Sequence, residues 1–442
     1  MKILKIATIS LINITFCIAF ANNSNKFISD QLIVKLKNKS PLKSKGIISK
    51  KKLYDNLYLI SSKNIAALEK ELRKNKNIEY VQKNFIHEKE TIIHPPKNFN
   101  DKKTTISKKS FISSNSYFND NKSSGQWYLK SLSQKGISVS SAYANNLVAD
   151  QKDVIVAVVD TGVDFNHPDL ENQLWTNQNE IEGNGIDDDN NGYVDDIHGI
   201  STVNRNKQGE ATNDIMDESI HGTHVAGIIA AEQNNNIGIA GISKNSKIMV
   251  IKTIPAKGDE TDADVIESFV YAARNSAKII NCSFGKSKKS MAVADIVKDL
   301  SKKFDLLFIV AAGNKGKNLS KKPVYPAAFS LENMIIVGST NSVEQKSYFS
   351  NYNRNLVDVF APGTLILSTI PGNKYKSLKG TSMAAPVVSG LAAEIKAQNP
   401  ELKSDQIKKI ILSTVTRKSS LKRKSVSGGI INFKNALIKA RK

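Results

Sequence analysis

Cysteine is almost missing from this chain of 442 residues; only Cys17 and Cys282 occur. Cys17 falls in an amino-terminal stretch with the marks of a removable leader, so the mature chain is expected to hold no intrachain disulfide. A disulfide scaffold is thereby excluded. Zinc of the usual kind is disfavoured too, because there is no cysteine cluster and no Glu follows His221 in the His-Glu-x-x-His manner. Long apolar runs are equally scarce. The one from Ile6 to Phe20 is short for a bilayer span and is closed by Asn22-Asn23-Ser24. Lys2 and Lys5 mark its basic start and Ala19-Phe20-Ala21 supplies a cleavage site, so residues 1–21 read as a signal peptide and not as a stable anchor. Phe16 is too bulky to precede a lipid-modified Cys17. The expected destination is extracellular or periplasmic. An exported chain without disulfides needs another staple, and structural calcium is the natural candidate.

Acidic residues are in short supply only at the two ends. The formal charge is +22. Residues 22–125 hold 22 Lys/Arg against 9 Asp/Glu, and residues 401–442 hold 12 against 2. Between them, residues 126–400 carry 27 basic and 30 acidic side chains, which is close to neutral. A nucleic-acid binder would gather its basic residues on a recognisable module. These lysines are scattered among Asn, Ser and Ile and read as solvated surface, so no nucleic-acid partner is expected.

The length suffices for one large core and a smaller domain. Residues 27–34 start a strand, Asn64 to Lys74 has helical apolar spacing at Ile65, Leu68 and Leu72, and Ile78 to Val81 reads as another strand. Residues 22–90 thus form a small α+β domain. Residues 91–124 turn to Pro, Lys, Ser and Asn and read as an accessible linker. From residue 125 to 442, short continuous apolar runs alternate with helical segments. Examples are the strands Val154–Val159, Ile248–Ile251, Lys278–Cys282 and Leu306–Ala311, and the helices Ala263–Ala273 and Ala384–Ala397. The fold class predicted is α/β, a three-layer sandwich with a mostly parallel central sheet. No internal repeat is visible.

Four segments carry chemistry. Asp160 ends the buried run Val156-Ala-Val-Val and is followed by Thr-Gly162, which puts it at the carboxyl edge of a sheet, where sites form. Taken alone it could equally make a turn. His221-Gly-Thr-His224-Val-Ala-Gly227 opens a helix of small residues; His221 and His224 could pair on a metal, but His224 reads better as structural. Ser382, in Gly380-Thr-Ser-Met-Ala-Ala-Pro386, stands at a helix amino terminus, where its own N–H is left unpaired and can bind an oxyanion. Serine needs an adjacent base to act as a nucleophile. Asn314 ends the buried run Val310-Ala-Ala-Gly313 and is either a turn residue or an amide donor to developing negative charge.

Together, and in the order Asp, His, Ser, these segments resemble the signatures of the subtilisin-like serine proteases. The resemblance covers residues 126–437, and 27–90 resembles that family's inhibitory propeptide, ending in Gln82-Lys83-Asn84. It implies an endopeptidase with Asp160, His221 and Ser382 as catalytic triad and Asn314 in the oxyanion hole. It implies a zymogen that cleaves itself and is held by its own propeptide, acts on protein or peptide substrates as a monomer, and uses no catalytic metal. Ser283-Phe284-Gly285 would pair with substrate as an added strand. Lys315 and Val324 would line the pocket for the residue before the scissile bond, making it shallow and unfavourable to basic side chains. Gly428 to Ala440 resembles the family's last strand and helix, with no anchor or further domain after it. Cys282 reads as a buried small hydrophobe.

Two calcium sites are expected. Asp187, Asp189, Asn191 and Asp195 alternate with a Gly at the sixth position, as in the first half of an EF-hand loop, but His198 stands where the bidentate Glu belongs. A solvated acidic turn is the other reading. Asp169 and the loop Asn234-Asn-Asn-Ile-Gly-Ile239 match the family's tight structural site, whose ligands would be Asp169, Asn235 and several carbonyls, with Gln126. Two other classes of function compete with the protease: an inactive member of the fold that binds peptide, and a lysine-rich surface adhesin.

Overall fold

The computed structural model describes residues 26–39, 41–87, 117–148 and 150–441. The signal-peptide reading for 1–21 lies outside the described residues, as does most of the linker. Alternation builds the first unit. Strands β1 (Phe27–Leu36), β2 (Ser49–Tyr54), β3 (Leu57–Ser61) and β4 (Ile78–His87) form an antiparallel sheet in the order β2-β3-β1-β4. On β1, Leu32, Val34 and Leu36 face one side and pack with Leu68 and Leu72 of helix α1 (Ile65–Leu72), giving the unit its own core. Ile33 faces the other side and joins the core of the larger body, with Leu53, Tyr54 and Leu57. Asn64 caps α1 by accepting from Ala67 N at 3.1 Å.

After a short helix α2 (Val139–Ala144), the larger body alternates strands with helices. Its strands are β5 (Val154–Asp160), β6 (Gly199–Arg205), β7 (Ala211–Thr212), β8 (Ser246–Lys252), β9 (Glu260–Thr261), β10 (Ile279–Cys282), β11 (Leu307–Ala311), β12 (Met334–Thr340), β13 (Val359–Pro362), β14 (Ile366–Ile370), β15 (Lys374–Leu378), β16 (Thr416–Arg417) and β17 (Gly429–Ile430). The main sheet runs β16-β17-β13-β12-β11-β10-β5-β8-β6-β7. It is parallel from β17 to β6, and antiparallel only at its two edges. The central strands are buried along their length, which is why they read as unbroken apolar runs rather than alternating ones.

Helices α3 (His221–Ala230) and α6 (Thr381–Gln398) pack together on the sheet, and α4 (Asp262–Arg274) and α5 (Met291–Phe304) form a second pair. The chain ends in α7 (Ser404–Ser413) and α8 (Phe433–Ala440). Gly390 of α6 lets that helix pack closely: a β-carbon there would meet Ile242 Cβ at 2.6 Å and Ile229 O of α3 at 3.4 Å. Among the described residues no helix is long and apolar enough to cross a membrane.

Residues 117–124 belong to the body, although their composition reads as linker. Phe118 joins the core, the Asp120 carboxylate accepts from Asn234 N and Asn235 N, and Lys122 N donates to Gly238 O at 2.6 Å. Their polar composition conceals this because one aromatic ring, one carboxylate and backbone groups are enough to make the contacts. The two units meet along β4, whose end pairs antiparallel with β9 through Ile86–Thr261 and His87–Glu260. Lysines of the smaller unit face acids of the larger one: Lys35 Nζ lies 3.0 Å from Asp295 and Lys51 Nζ 2.8 Å from Glu267.

Candidate active site

The site gathers where β5, β10 and β11 end and α3 and α6 begin. Asp160, the last residue of β5, is fully buried. Its Oδ1 accepts from His221 Nδ1 at 2.7 Å and from Thr161 N at 2.8 Å. Gly222 makes this approach possible, since a β-carbon there would stand 2.0 Å from Gly162 O. Behind the pair lies a residue that motif reading misses. Asp217 is buried and accepts from Thr161 Oγ1, Ser219 N, Thr223 N and Thr223 Oγ1, while Gly222 N donates to Thr161 Oγ1. It ties the loop before His221 to the strand end that carries Asp160. Its position four residues ahead of His221 was the available signal; Ser219 and Thr223 are local partners, and only Thr161 is remote in sequence.

His224 faces inward. Its Nε2–H donates to Lys376 O at 2.9 Å and to Ile366 O at 3.1 Å, and burial pushes its pKa down to about 3. It is a neutral structural histidine. Burial, and secondarily Asp160, pushes the Cys282 thiol well up, which leaves it an inert small side chain.

Ser382 is the second residue of α6. Its Oγ donates to Ser283 O at 2.9 Å, and Ser283 Oγ donates to Ser382 O at 2.9 Å, which seats the helix start on the end of β10. Asn314 Oδ1 accepts from Thr381 N and Thr381 Oγ1. The amide nitrogen is thereby turned outward. A β-carbon at Gly380 would stand 3.6 Å from Asn314 Nδ2 and 3.5 Å from Ser382 N, so two N–H donors converge beside the serine.

Ser283 and Phe284 are buried and continue from β10 toward Gly285. The mutual bonds Lys286 N to Tyr325 O (2.8 Å) and Tyr325 N to Lys286 O (2.7 Å) hold Val324 against this segment. Val324 is buried, and a β-carbon at Gly285 would stand 2.5 Å from its Cγ1. Lys315 is exposed, and its N donates to Asn351 Oδ1 at 3.3 Å.

The acidic loop is arranged differently from expectation. Oxygens of Glu180, Asp187 and Asp189 lie within 4.8 Å of one another. Glu180 comes from outside the alternating run; it also accepts from Asp189 N and Asp195 N. The Asp195 carboxylate is turned away and accepts from Asn184 N and Gly185 N, so it does not join the cluster. Asn191 Oδ1 is occupied by Tyr193 N. Three clustered carboxylates suit a hard cation with oxygen ligands. At the second expected site, Asp169 and Asn235 do adjoin, but through Asn235 Nδ2 at 3.1 Å, while Asn235 Oδ1 accepts from Ile237 N. Gln126 Oε1 accepts from Ala240 N. Of these three side chains only Asp169 presents a carboxylate, so a cation here would draw its remaining ligands from backbone carbonyls of the loop. Burial pushes Asp169 up to about 6.

A parallel sheet with paired helices, an Asp–His pair at its carboxyl edge and a serine opening a buried helix is the architecture of a subtilisin-like hydrolase. The chain belongs to the subtilase family, whose sequence model it matches over residues 151–429. It is 33% identical over 340 residues to Subtilisin-like protease 1 of Plasmodium berghei (strain Anka), an overlap covering 73% of this chain and 55% of that protein. It is 36% identical over 264 residues to Subtilisin of Bacillus pumilus, covering 60% of this chain and 84% of that one. A solved protease from Pseudoalteromonas arctica superposes with a TM-score of 0.60 at 26% identity, covering 74% of this chain and 100% of that one. The chain spans about half the length of the Plasmodium relatives it matches.

Proposed function

We propose that the chain is an exported serine endopeptidase, made as a zymogen whose N-terminal domain inhibits it until self-cleavage. The observation that carries the reading is the 2.7 Å bond between His221 Nδ1 and buried Asp160, on the edge that also holds Ser382 and Asn314. Asp160 fixes the tautomer of His221 and stabilises its charged form. His221 takes the Ser382 proton, Ser382 attacks the peptide carbonyl, and Asn314 Nδ2 with the Ser382 N–H receives the oxyanion. The imidazolium then protonates the leaving amine, and water releases the acyl group. Substrate enters as an added strand beside Ser283, Phe284 and Gly285, with Lys315 and Val324 bounding the pocket before the scissile bond. The pairing of β4 with β9 supports the inhibitory role, because it docks the N-terminal domain on the larger body through an extended strand.

The activated enzyme acts as a monomer on protein or peptide chains. Glu180, Asp187 and Asp189 are the residues that would hold a calcium ion, which would supply rigidity to the loop and take no part in catalysis.

Full-length chain, wild type beside Ser382→Ala, incubated with calcium and followed by intact-mass spectrometry, tests the reading. Wild type is expected to shed a fragment ending between Glu88 and Gly125, and the variant to stay whole. If neither sample is processed and the wild type is not labelled by a serine-directed probe, the reading is overturned.

A further inference from the structure

The contact between Gln82 and the body is a carboxamide site in its own right. Gln82 lies on β4, four residues ahead of Ile86, which pairs with Thr261. Its Nε2 donates to Asp262 Oδ2 and to Ser290 Oγ, both at 3.1 Å, and its Oε1 accepts from Ala292 N at 3.0 Å. Both ends of the amide are therefore read. With the N-terminal domain in place, Asp262 and Ser290 are fully buried beneath it.

The body holds these groups in place without help from Gln82. Asp262 Oδ1 accepts from the buried Lys286 Nζ at 2.6 Å, and Ser290 Oγ caps α5 by accepting from Val293 N at 3.2 Å. Ala292 N is one of the unpaired donors at the start of α5. A site so fixed keeps its shape when its occupant leaves, and a preorganised site loses little on rebinding. It also continues the edge of β9, which pairs with an incoming strand through backbone groups.

We propose that this is a substrate exosite of the activated enzyme, specific for a glutamine four residues ahead of the residue that pairs with Thr261. The inference rests on the reading of the N-terminal domain as a removable inhibitor. Its occupant is an extended segment of a protein substrate. Backbone pairing along β9 supplies affinity, and Asp262, Ser290 and Ala292 supply a preference that backbone pairing cannot.

Charge separates this idea from plain helix capping. The site lies at the amino termini of both α4 and α5, where a carboxylate is favoured over a neutral group. If capping alone mattered, Glu would bind better than Gln. If Asp262 reads the amide N–H, Glu sets two carboxylates together and binds worse.

The probe is a set of synthetic peptides spanning residues 78–90 of this chain, with Gln, Ala or Glu at position 82. Each competes against a reporter substrate for enzyme processed from the full-length chain. The Gln peptide is expected to inhibit roughly three- to tenfold more strongly than the Ala peptide, the worth of a hydrogen bond or two. The Glu peptide is expected to be no better than Ala. Equal inhibition by all three, or a Glu peptide that matches Gln, overturns the exosite. A serine-directed probe on the same sample separates the failures. Labelled enzyme with equal peptides refutes the exosite alone, whereas an unprocessed or unlabelled chain refutes the zymogen reading and the exosite with it.

Discussion

The side-chain oxygen of Asn314 is gripped twice by Thr381, through its N–H at 2.8 Å and its hydroxyl at 2.9 Å. This fixes which end of the amide faces the serine. Asn314→Leu is expected to lower kcat about 10²–10³-fold with KM little changed, a size taken from the corresponding donor of a subtilisin rather than from this geometry. Steady-state kinetics on a peptide substrate checks it.

Val324 lies against Gly285, and in the proposed function it bounds the pocket before the scissile bond. Val324→Gly is expected to raise kcat/KM for large apolar side chains at that position by about tenfold or more. Lys315→Glu is expected to admit basic ones that wild type rejects. A cleavage profile on a peptide library reads both changes, and a wild-type profile dominated by Arg or Lys would contradict the pocket assignment.

Calcium should act on stability and not on the chemical step. In a Ser382→Ala background, a saturating excess of about a hundred times Kd is expected to stabilise the fold by about 2.7 kcal/mol. Glu180→Gln with Asp187→Asn should abolish most of the response. Thermal unfolding with and without chelator measures it.

Acid should unfold the protein partly through His224. Its folded pKa of about 3 lies below the unfolded value of 6.5, so the unfolded chain takes up a proton that the folded one refuses. The stability is complete above pH 6.5 and is lost progressively as pH falls toward 3. At pH 5 the loss from this group is about 2 kcal/mol. Denaturant titrations of Ser382→Ala at pH 7 and 5, with and without His224→Gln, should show a shallower pH slope in the double variant.

The sheet was legible in the sequence because a strand buried on both faces must be apolar without alternation, and β5, β8, β10 and β11 are. Asp160, His221, Ser382 and Asn314 could be singled out because each ends or opens an element beside Gly or Thr. Other features were not visible, for a common reason. Asp217 and Glu180 act by accepting from backbone N–H groups and hydroxyls, which every segment of chain offers, so residue type alone does not mark them. Asp195 alternates correctly with the acidic run, yet a neighbouring turn captures its carboxylate. Phe118 sits in a segment whose composition is that of a linker, and one buried ring is too little to alter that composition.

The ion pairs between the two units have a further consequence. Lys35 and Lys51 reach Asp295 and Glu267 across the boundary, and these pairs are only partly shielded from solvent. At physiological ionic strength the screening length is about 8 Å, and at 1 M salt about 3 Å. Brine should therefore loosen the grip of the N-terminal domain while leaving the apolar contacts of Ile33, Leu53 and Tyr54 intact. If the N-terminal domain is the inhibitor proposed, the ionic strength around the protein would help to time its release: slower in dilute fluid, and sooner where salt is concentrated.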